Sequence, residues 1–227
     1  MPKETSKSRT KTHPKPSSTK TGKDSHLYTD DNPSTTIHGT GFKDKAAAER
    51  TLELINKRSL IYQFQTVNTM YNRAKHHPAM KKAVEGSAGT SDMRAAMDVF
   101  RHWLDVTYPA ERDALRAGGF KPLLSKKTVG KYLDRILEGK AVDDLGKQFA
   151  KMYCELPKGK KLGNVLVDDS KPEEADWERI RYDVLNELVP EGREESQDES
   201  WSSKDKVGDV HLGFIAWAWS PVPERKL

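Results

Sequence analysis

Residues 58–78, RSLIYQFQTVNTMYNRAKHHP, have the pattern of one long amphipathic helix. At 100° per residue, one stripe of this helix is apolar. It comprises Leu60, Phe64, Val67, Tyr71 and Ala74. His77-Pro78 ends the segment, because the residue before a proline disfavours helical geometry. A helix of this length and pattern indicates a helical fold for the surrounding chain.

The polar side of this helix carries amides, hydroxyls and bases, with no acidic residue. Beside the apolar stripe lie Gln65, Asn68, Asn72 and Lys75, and around the back lie Tyr62, Thr66, Thr69 and Arg73. A solvated helix face normally uses charged pairs four residues apart, and Asn and Thr are mediocre helix formers. Amides, arginine and an aromatic are suited to phosphates and base edges. The pattern predicts a recognition surface; the alternative is that the amides cap or bridge neighbouring helices.

The composition of the 227-residue chain limits its class. Hydrophobic residues make up 35% and the mean hydropathy is −0.82, so part of the chain is expected to stay uncompacted. The net charge of +5 permits an anionic partner without proving one. One cysteine, Cys154, cannot form an internal disulfide, which fits a reducing compartment. Without a long apolar run or signal segment, the chain is predicted to be intracellular, nuclear or cytoplasmic, with no membrane partner.

Residues 1–38 are rich in Ser, Thr, Lys, Pro and His and almost lack large apolar side chains. This composition predicts a disordered tail, and bases outnumber acids in it. A basic arm adds weak, salt-sensitive attraction to nucleic acid; the alternative is a solubilising tail.

The rest of the chain is predicted to be an all-α, multi-helix bundle. Residues 41–156 form the bundle, residues 157–173 a linker or long loop, and residues 174–227 a Trp-rich helical segment that packs on it. The first predicted helix runs from Asp44 to about Lys57, and another begins at Thr90 or Ser91. A short helix has Pro109 in its first turn. Further helices are predicted over 126–138, over 141–155 and from about Glu174 to Leu188. On the polar side of the helix that starts at Thr90 or Ser91, Arg101 and Asp105 form an ordinary pair four residues apart.

A faint internal repeat favours two helical hairpins of common plan, 41–78 and 119–156. Gly41-Phe42-Lys43 recurs as Gly119-Phe120-Lys121. At an offset of 82, the matching residues are Leu54, Ile55, Leu60, Val67, Met70 and Tyr71 with Ile136, Leu137, Val142, Phe149, Met152 and Tyr153. Helical periodicity alone produces much of such a match, and the second copy lacks the amides.

The terminal run 210–221, VHLGFIAWAWSP, is apolar on nearly all sides. Such a helix must be buried against the bundle or a partner. We predict a returning core helix; the alternative is an exposed aromatic platform.

The sequence contains no Walker loop, glycine-rich dinucleotide turn, zinc cysteine pair or nucleophile elbow, and it predicts no metal site. Asp209 and His211, near Trp201 and Lys204 in sequence, are the candidate acid–base pair. Metal-assisted phosphodiester hydrolysis needs clustered carboxylates. The candidates are Asp98, Asp168, Asp169, Asp176 and Asp209.

Several blocks resemble the helical repeat motif of the uracil-DNA degrading factors. They are Gly41-Phe42-Lys43-Asp44, Thr51-Leu52, Arg58, Tyr62-Gln63 and Asn72-Arg73-Ala74-Lys75. Phe100 through Leu104 and the closing His211 through Pro221 are similar to further motifs of that family. The likeness spans most of residues 41–220, and a duplicated N-terminal motif is a property of the family.

The resemblance implies a protein that recognises uracil-containing DNA, and it leaves open whether the protein also cuts that DNA as a repair nuclease. A nuclease of this kind would admit a divalent metal such as Mg²⁺. Arg73 and Lys75 would hold phosphates, Gln63 or Asn68 would read a base edge, and a tryptophan would stack on an extruded base. The predicted DNA-binding residues are Arg58, Tyr62, Gln63, Gln65, Asn68, Asn72, Arg73, Lys75, Trp201 and Lys204.

Two alternatives stand beside this hypothesis. One is a helical nucleic-acid-binding module without chemistry. The other is a scaffold that docks a protein partner through the Trp-rich C-terminus, in which case the amides of residues 58–78 are buried between helices or meet a protein.

Overall fold

α-Helices packed as a bundle make up most of the chain that the computed structural model describes, namely residues 36–82, 88–189 and 207–227. The helices are α1 (Lys45–Ile55), α2 (Leu60–Lys75), α3 (Pro78–Lys82), α4 (Ala88–His102), α5 (Tyr108–Ala117), α6 (Lys126–Lys131), α7 (Leu133–Glu138), α8 (Asp144–Glu155), α9 (Trp177–Leu188) and α10 (Asp209–Ala216). Within these ranges the extended structure consists of one isolated bridge between Leu166 and Asp176. The predicted all-α helical bundle is confirmed.

The interior contains two hydrophobic clusters. The N-terminal cluster joins α1, α2, α4 and Trp103, and the fully buried Ile55, Val67 and Phe100 belong to it. The C-terminal cluster joins residues 120–132 with α7, α8, α9 and α10. Leu115 of α5 packs against both clusters, so α5 connects the two halves of the bundle.

Helix α2 forms as its periodicity predicts. Leu60, Val67 and Ala74 of the predicted stripe are buried, and Phe64 and Tyr71 pack against the N-terminal cluster while partly exposed. The helix before it begins where predicted, because an Asp44 carboxylate oxygen accepts a hydrogen bond of 2.7 Å from the Ala47 amide.

Several helix boundaries differ from the predicted ones. α4 already begins at Ala88, so Thr90 and Ser91 lie inside the helix and do not cap it. The helix predicted over 126–138 is interrupted at Tyr132, whose φ of −103° separates α6 from α7. α9 begins at Trp177, because the preceding Asp176 accepts a hydrogen bond from the Arg179 amide and caps the helix.

A π-helical turn, Trp103–Thr107, joins α4 to α5. The Tyr108 amide donates to the Trp103 carbonyl, one residue farther back than in an α-helix. The next residue, Pro109, has no amide hydrogen and lies in the first turn of α5, as predicted. The proline therefore coincides with the change of helical register.

Residues 157–173 are packed against the bundle, although their composition predicts a linker or long loop. They contain a short 3₁₀ helix, Leu162–Asn164. Leu162 belongs to the C-terminal cluster, and Leu166 is buried and forms the bridge to Asp176. These apolar contacts, together with the hydrogen bond from the Trp177 amide to the Val165 carbonyl, connect this polar segment to the bundle.

The two predicted hairpins correspond only in part. Val67 and Phe149, a matched pair, are both fully buried in α2 and α8. Ile55 is fully buried, whereas its match Leu137 is 39% exposed. The hairpin 41–78 has one helix before α2, while 119–156 has two before α8. The structure therefore agrees with the repeat at Val67 and Phe149, and differs from it at Ile55 and Leu137 and in the number of helices.

The run predicted as a returning core helix forms α10, and Trp217 and Trp219 are buried in the C-terminal cluster. Ala218 has a φ of 51°, and its amide and that of Trp219 bond back to the last turn of α10 in a Schellman arrangement. The buried Arg181 guanidinium donates to the Trp217 carbonyl at 2.7 Å and the Ala218 carbonyl at 3.3 Å. Burial lowers the pKa of Arg181 to about 10, so it remains charged at neutral pH.

A buried ion pair connects α2 to α9. Arg58 is 2% exposed and the Asp176 side chain is fully buried, with 3.1 Å between Arg58 Nε and Asp176 Oδ2. The same carboxylate oxygen accepts from the Ser59 amide at 2.9 Å, while Arg58 also donates to the carbonyls of Pro172 and Gly163. Asp176 therefore holds the start of both helices.

No helix of the described residues is long and apolar enough to cross a membrane.

We predict that Asp176→Ala lowers the free energy of unfolding by about 3–5 kcal/mol, because it leaves a buried guanidinium without its counter-charge. Urea denaturation followed by circular dichroism measures the change. The control is Asp183→Ala, which removes the exposed Arg179–Asp183 pair and should change stability by no more than about 1 kcal/mol. Equal effects of the two substitutions would contradict the role of Asp176.

Candidate nucleic-acid interface

One side of α2 is exposed and carries the predicted recognition residues. Gln65, Asn68, Asn72 and Lys75 are all exposed, and their spacing places them on one side of the helix. We call these four residues the amide face. No described element covers them, so these amides do not bridge neighbouring helices, and the helix they belong to contains no acidic residue.

Two asparagines of the amide face are linked to each other. Asn72 Nδ2 donates to the Asn68 carbonyl at 2.8 Å and to Asn68 Oδ1 at 3.2 Å. Within the described residues, the side-chain nitrogen Nδ2 of Asn68 and the side-chain oxygen Oδ1 of Asn72 have no protein partner. The pair thus presents a donor and an acceptor in a fixed relation, which is the arrangement a base edge or phosphate can use.

Arg101 of α4 extends this surface. Its guanidinium donates to Tyr71 Oη at 2.6 Å and lies 5.4 Å from the centre of the Tyr71 ring. The hydrogen bond to Tyr71 raises the pKa of Arg101, as do the negative charges of Asp105 and Asp98. The sequence pattern pairs Arg101 with Asp105, and only the packing of α4 on α2 reveals Tyr71 as its hydrogen-bond partner.

Arg73 and Lys75 lie in the last turn of α2, where cations stabilise the helix terminus. Lys75 is exposed, whereas Arg73 is half-buried and has interactions within the protein. Lys75 is therefore the base of α2 that is most accessible to a phosphate.

Arg58, Tyr62 and Gln63 lie at the corner between α1 and α2, and the burial of Arg58 and Gln63 corrects the prediction that these two residues contact DNA. Arg58 is bound to Asp176 and stacks 3.8 Å from the centre of the half-buried Tyr62 ring. Gln63 is 7% exposed, and its Nε2 donates to the carbonyls of Asn56 and Arg58. These contacts satisfy the end of α1, so the buried Arg58 and Gln63 support the fold.

The candidate acid–base pair is separated by burial. His211 is 4% exposed, and its Nε2 lies 2.9 Å from Ser220 Oγ, while Asp209 is exposed in the first turn of α10. Burial lowers the pKa of His211, so its neutral form predominates at pH 7. A histidine at this depth is a poor general base for a bulky substrate.

The candidate carboxylates do not form a metal centre in the described part of the chain. Asp176 is used by Arg58, Ser59 and Arg179. Asp168 accepts from the amide and hydroxyl of Ser170, which lowers its pKa. Within the described ranges, no group of three or more His, Cys, Asp or Glu side chains could hold a metal ion.

Other predicted site residues lie outside the described ranges. These are Trp201 and Lys204, together with most of the predicted tail of residues 1–38. No protein-family model, curated protein or solved structure matches this chain. The roles of the residues therefore rest on the geometry given above.

We predict that Gln63→Ala lowers the free energy of unfolding by about 1–3 kcal/mol, because the buried Arg58 carbonyl and the partly buried Asn56 carbonyl lose their donor. Asn68→Ala should change it by no more than about 0.7 kcal/mol, since the residue is exposed and alanine favours the helix. Urea denaturation of the two variants tests the division of α2 into interior and surface amides. A larger loss for Asn68→Ala than for Gln63→Ala would contradict it.

Burial of neutral His211 also predicts a pH dependence of stability. The pKa of His211 is lower in the folded protein than its ordinary 6.5, so the unfolded chain takes up the proton first. The free energy of unfolding should therefore fall as the pH drops through about 6.5, and level off below the folded pKa.

Urea denaturation between about pH 7.5 and 5 measures this slope. His211→Gln should remove part of it, and substitution of the exposed His102 by glutamine provides the control. Asp168 and Glu224 have lowered pKa values, so their contribution to the pH dependence of stability lies at more acid pH. An unchanged slope in His211→Gln would show that His211 is not responsible.

Proposed function

We propose that this protein binds DNA through the amide face of α2, with Arg101 beside it, and that it prefers DNA containing uracil. The observation that carries the proposal is a 16-residue helix whose exposed side has amides and a lysine but no acidic group. At 1.5 Å per residue such a helix is about 24 Å long. An α-helix of this kind fits the major groove of duplex DNA.

The chemistry of the amide face supports contacts to both bases and phosphates. Asparagine and glutamine side chains can bond to the donor and acceptor edge of adenine, and Asn68 and Asn72 supply such groups side by side. Lys75 and Arg101 supply exposed positive charge for the phosphate backbone. Asp98 of α4 and Asp105 of the π-helical turn mark the side on which this surface becomes mixed in charge.

The charge of the whole chain is consistent with a polyanionic partner. Lysine and arginine exceed aspartate and glutamate by five. Seven lysine and arginine residues lie among residues 1–23. A basic segment of this kind adds salt-sensitive attraction to nucleic acid.

The preference for uracil rests on the motif resemblance, and strand cleavage is the open part of the proposal. No described residue is assigned a catalytic role, because His211 is buried and the described carboxylates do not gather around a metal position. A reader of uracil-containing DNA agrees with this arrangement better than a metal-dependent nuclease built from the described residues.

The test uses labelled duplexes that are identical except for uracil in place of thymine, with and without magnesium. We expect slower migration of the uracil duplex on a native gel at moderate salt. A denaturing gel of the same samples shows whether strands are cut. Equal migration of both duplexes would contradict the proposed recognition of uracil. No retardation of either duplex at moderate salt would contradict the proposed DNA binding.

Lys75→Glu should weaken DNA binding and reduce the slope of log K against log salt by about 1, because one phosphate contact is lost. The matched control is Lys151→Glu, which makes the same charge change at an exposed position of α8. Equal weakening by both variants would mean that net charge alone governs binding, and that the amide face has no special part.

A further inference from the structure

A cleft of about 850 Å³ lies between the start of α2, α5 and α9. Its apolar wall includes Trp103, Tyr108 and Leu115, and its polar side includes Ser59, Gln63 and Glu178. The volume falls in the range typical of small-molecule sites. Because α5 joins the two hydrophobic clusters, the cleft lies between the two halves of the bundle.

Ser59 carries an unexplained polar group in this cleft. The residue is 3% exposed, and its hydroxyl is the only buried side-chain N or O atom of the described residues without a hydrogen-bond partner. A buried hydroxyl without a partner costs about 1–3 kcal/mol. Ser59 precedes α2, yet its side chain forms no capping hydrogen bond, so the hydroxyl does not serve the helix.

Glu178 and Gln63 provide acceptors in the lining of the same cleft. Glu178 is 8% exposed; its Oε1 accepts from Lys121 Nζ at 3.2 Å, and its Oε2 accepts no hydrogen bond from the described residues. Gln63 uses its nitrogen for two carbonyls and leaves Oε1 without a donor in the same part of the chain. The polar side of the cleft therefore favours a ligand that donates hydrogen bonds.

Gly163 packs directly against two of these groups. A Cβ at this position would lie 2.6 Å from Ser59 Oγ and 3.1 Å from Glu178 Oε2, so the hydroxyl occupies the place of a side chain here and both oxygens border Gly163. Rotation about the Cα–Cβ bond of Ser59 redirects its hydroxyl without backbone movement. Because both oxygens border Gly163, a ligand that bonds to Glu178 Oε2 lies near Ser59, and the rotated hydroxyl can turn toward it.

The charges at the rim favour a neutral ligand. Arg112 and Arg116 lie 3.1 Å and 3.9 Å from Asp113, and Arg179 lies 3.0 Å from Asp183. Lys121 is paired with Glu178. Arg112 and Arg116 share the Asp113 carboxylate, and the carboxylate of Glu111 also lines the cleft, so the charges around it balance and leave no surplus positive charge for a phosphate group.

We propose that this cleft binds a neutral, planar heterocycle with an exocyclic amino group, of the class of the amino-substituted nucleosides. The amino group donates to Glu178 Oε2 and Gln63 Oε1, and the adjacent ring nitrogen accepts from the Ser59 hydroxyl. The ring lies against the aromatic wall formed by Trp103 and Tyr108. This site is separate from the amide face, and its occupation does not require DNA.

Cytidine and uridine test this assignment, because they differ in the group that faces the proposed acceptors: cytidine has an amino group where uridine has a carbonyl. Each nucleoside is titrated into the full-length protein up to about 1 mM and followed by isothermal calorimetry, without DNA. We expect saturable binding of cytidine at least about tenfold tighter than that of uridine. Equal binding of the two, or no binding of cytidine, would overturn the proposal.

Ser59→Ala distinguishes a ligand group from a structural one. It removes a hydroxyl without a partner, so stability in urea should be unchanged or higher, while cytidine binding weakens. Glu178→Gln should also weaken it, and Glu187→Gln, at an exposed position of α9, should not. Cytidine binding unchanged in a folded Ser59→Ala or Glu178→Gln variant would contradict the site. DNA retardation by these proteins reports on the amide face independently.

Discussion

The buried carboxylate of Asp176 is the contact on which the arrangement of the two halves depends. It caps α9 through the Arg179 amide, binds the Ser59 amide ahead of α2 and neutralises Arg58. A buried charge is tolerated only when it is paired and hydrogen-bonded, and Asp176 meets both conditions. Because its partners come from distant parts of the chain, one carboxylate fixes the positions of the starts of α2 and α9 relative to each other.

The cleft follows from this contact. Two hydrophobic clusters are joined at α5 and at the Asp176 contact, and the space left between them is lined by side chains from both halves. A second buried arginine has a comparable role within the C-terminal half, where Arg181 satisfies the carbonyls that follow α10. In both places a guanidinium supplies several donors where helix ends leave backbone oxygens without partners.

Helix α2 carries amides with two different roles, and exposure separates them. Gln63 is buried and bonds to the end of α1, whereas Asn68 and Asn72 face solvent and bond mainly to each other. The residues have similar chemistry, so their type alone does not distinguish them. The free side of α2 remains available for a nucleic acid because the stripe from Leu60 to Ala74 already packs against the N-terminal cluster.

Local patterns in the sequence determined the helical class, the apolar stripe of α2, the Asp44 cap and the apolar character of α10, because each depends on residues within a few turns. Tertiary structure alone decided that Arg58 is an interior ion-pair residue, that residues 157–173 pack on the bundle and that Tyr71 bonds to Arg101. Arg58 and Asp176 are far apart in the sequence, and helical periodicity gives no information about which distant groups meet. Of the predicted site, the exposed amides and Lys75 were predictable from the pattern of α2, whereas the cleft around Ser59 and Glu178 required the packing of three helices.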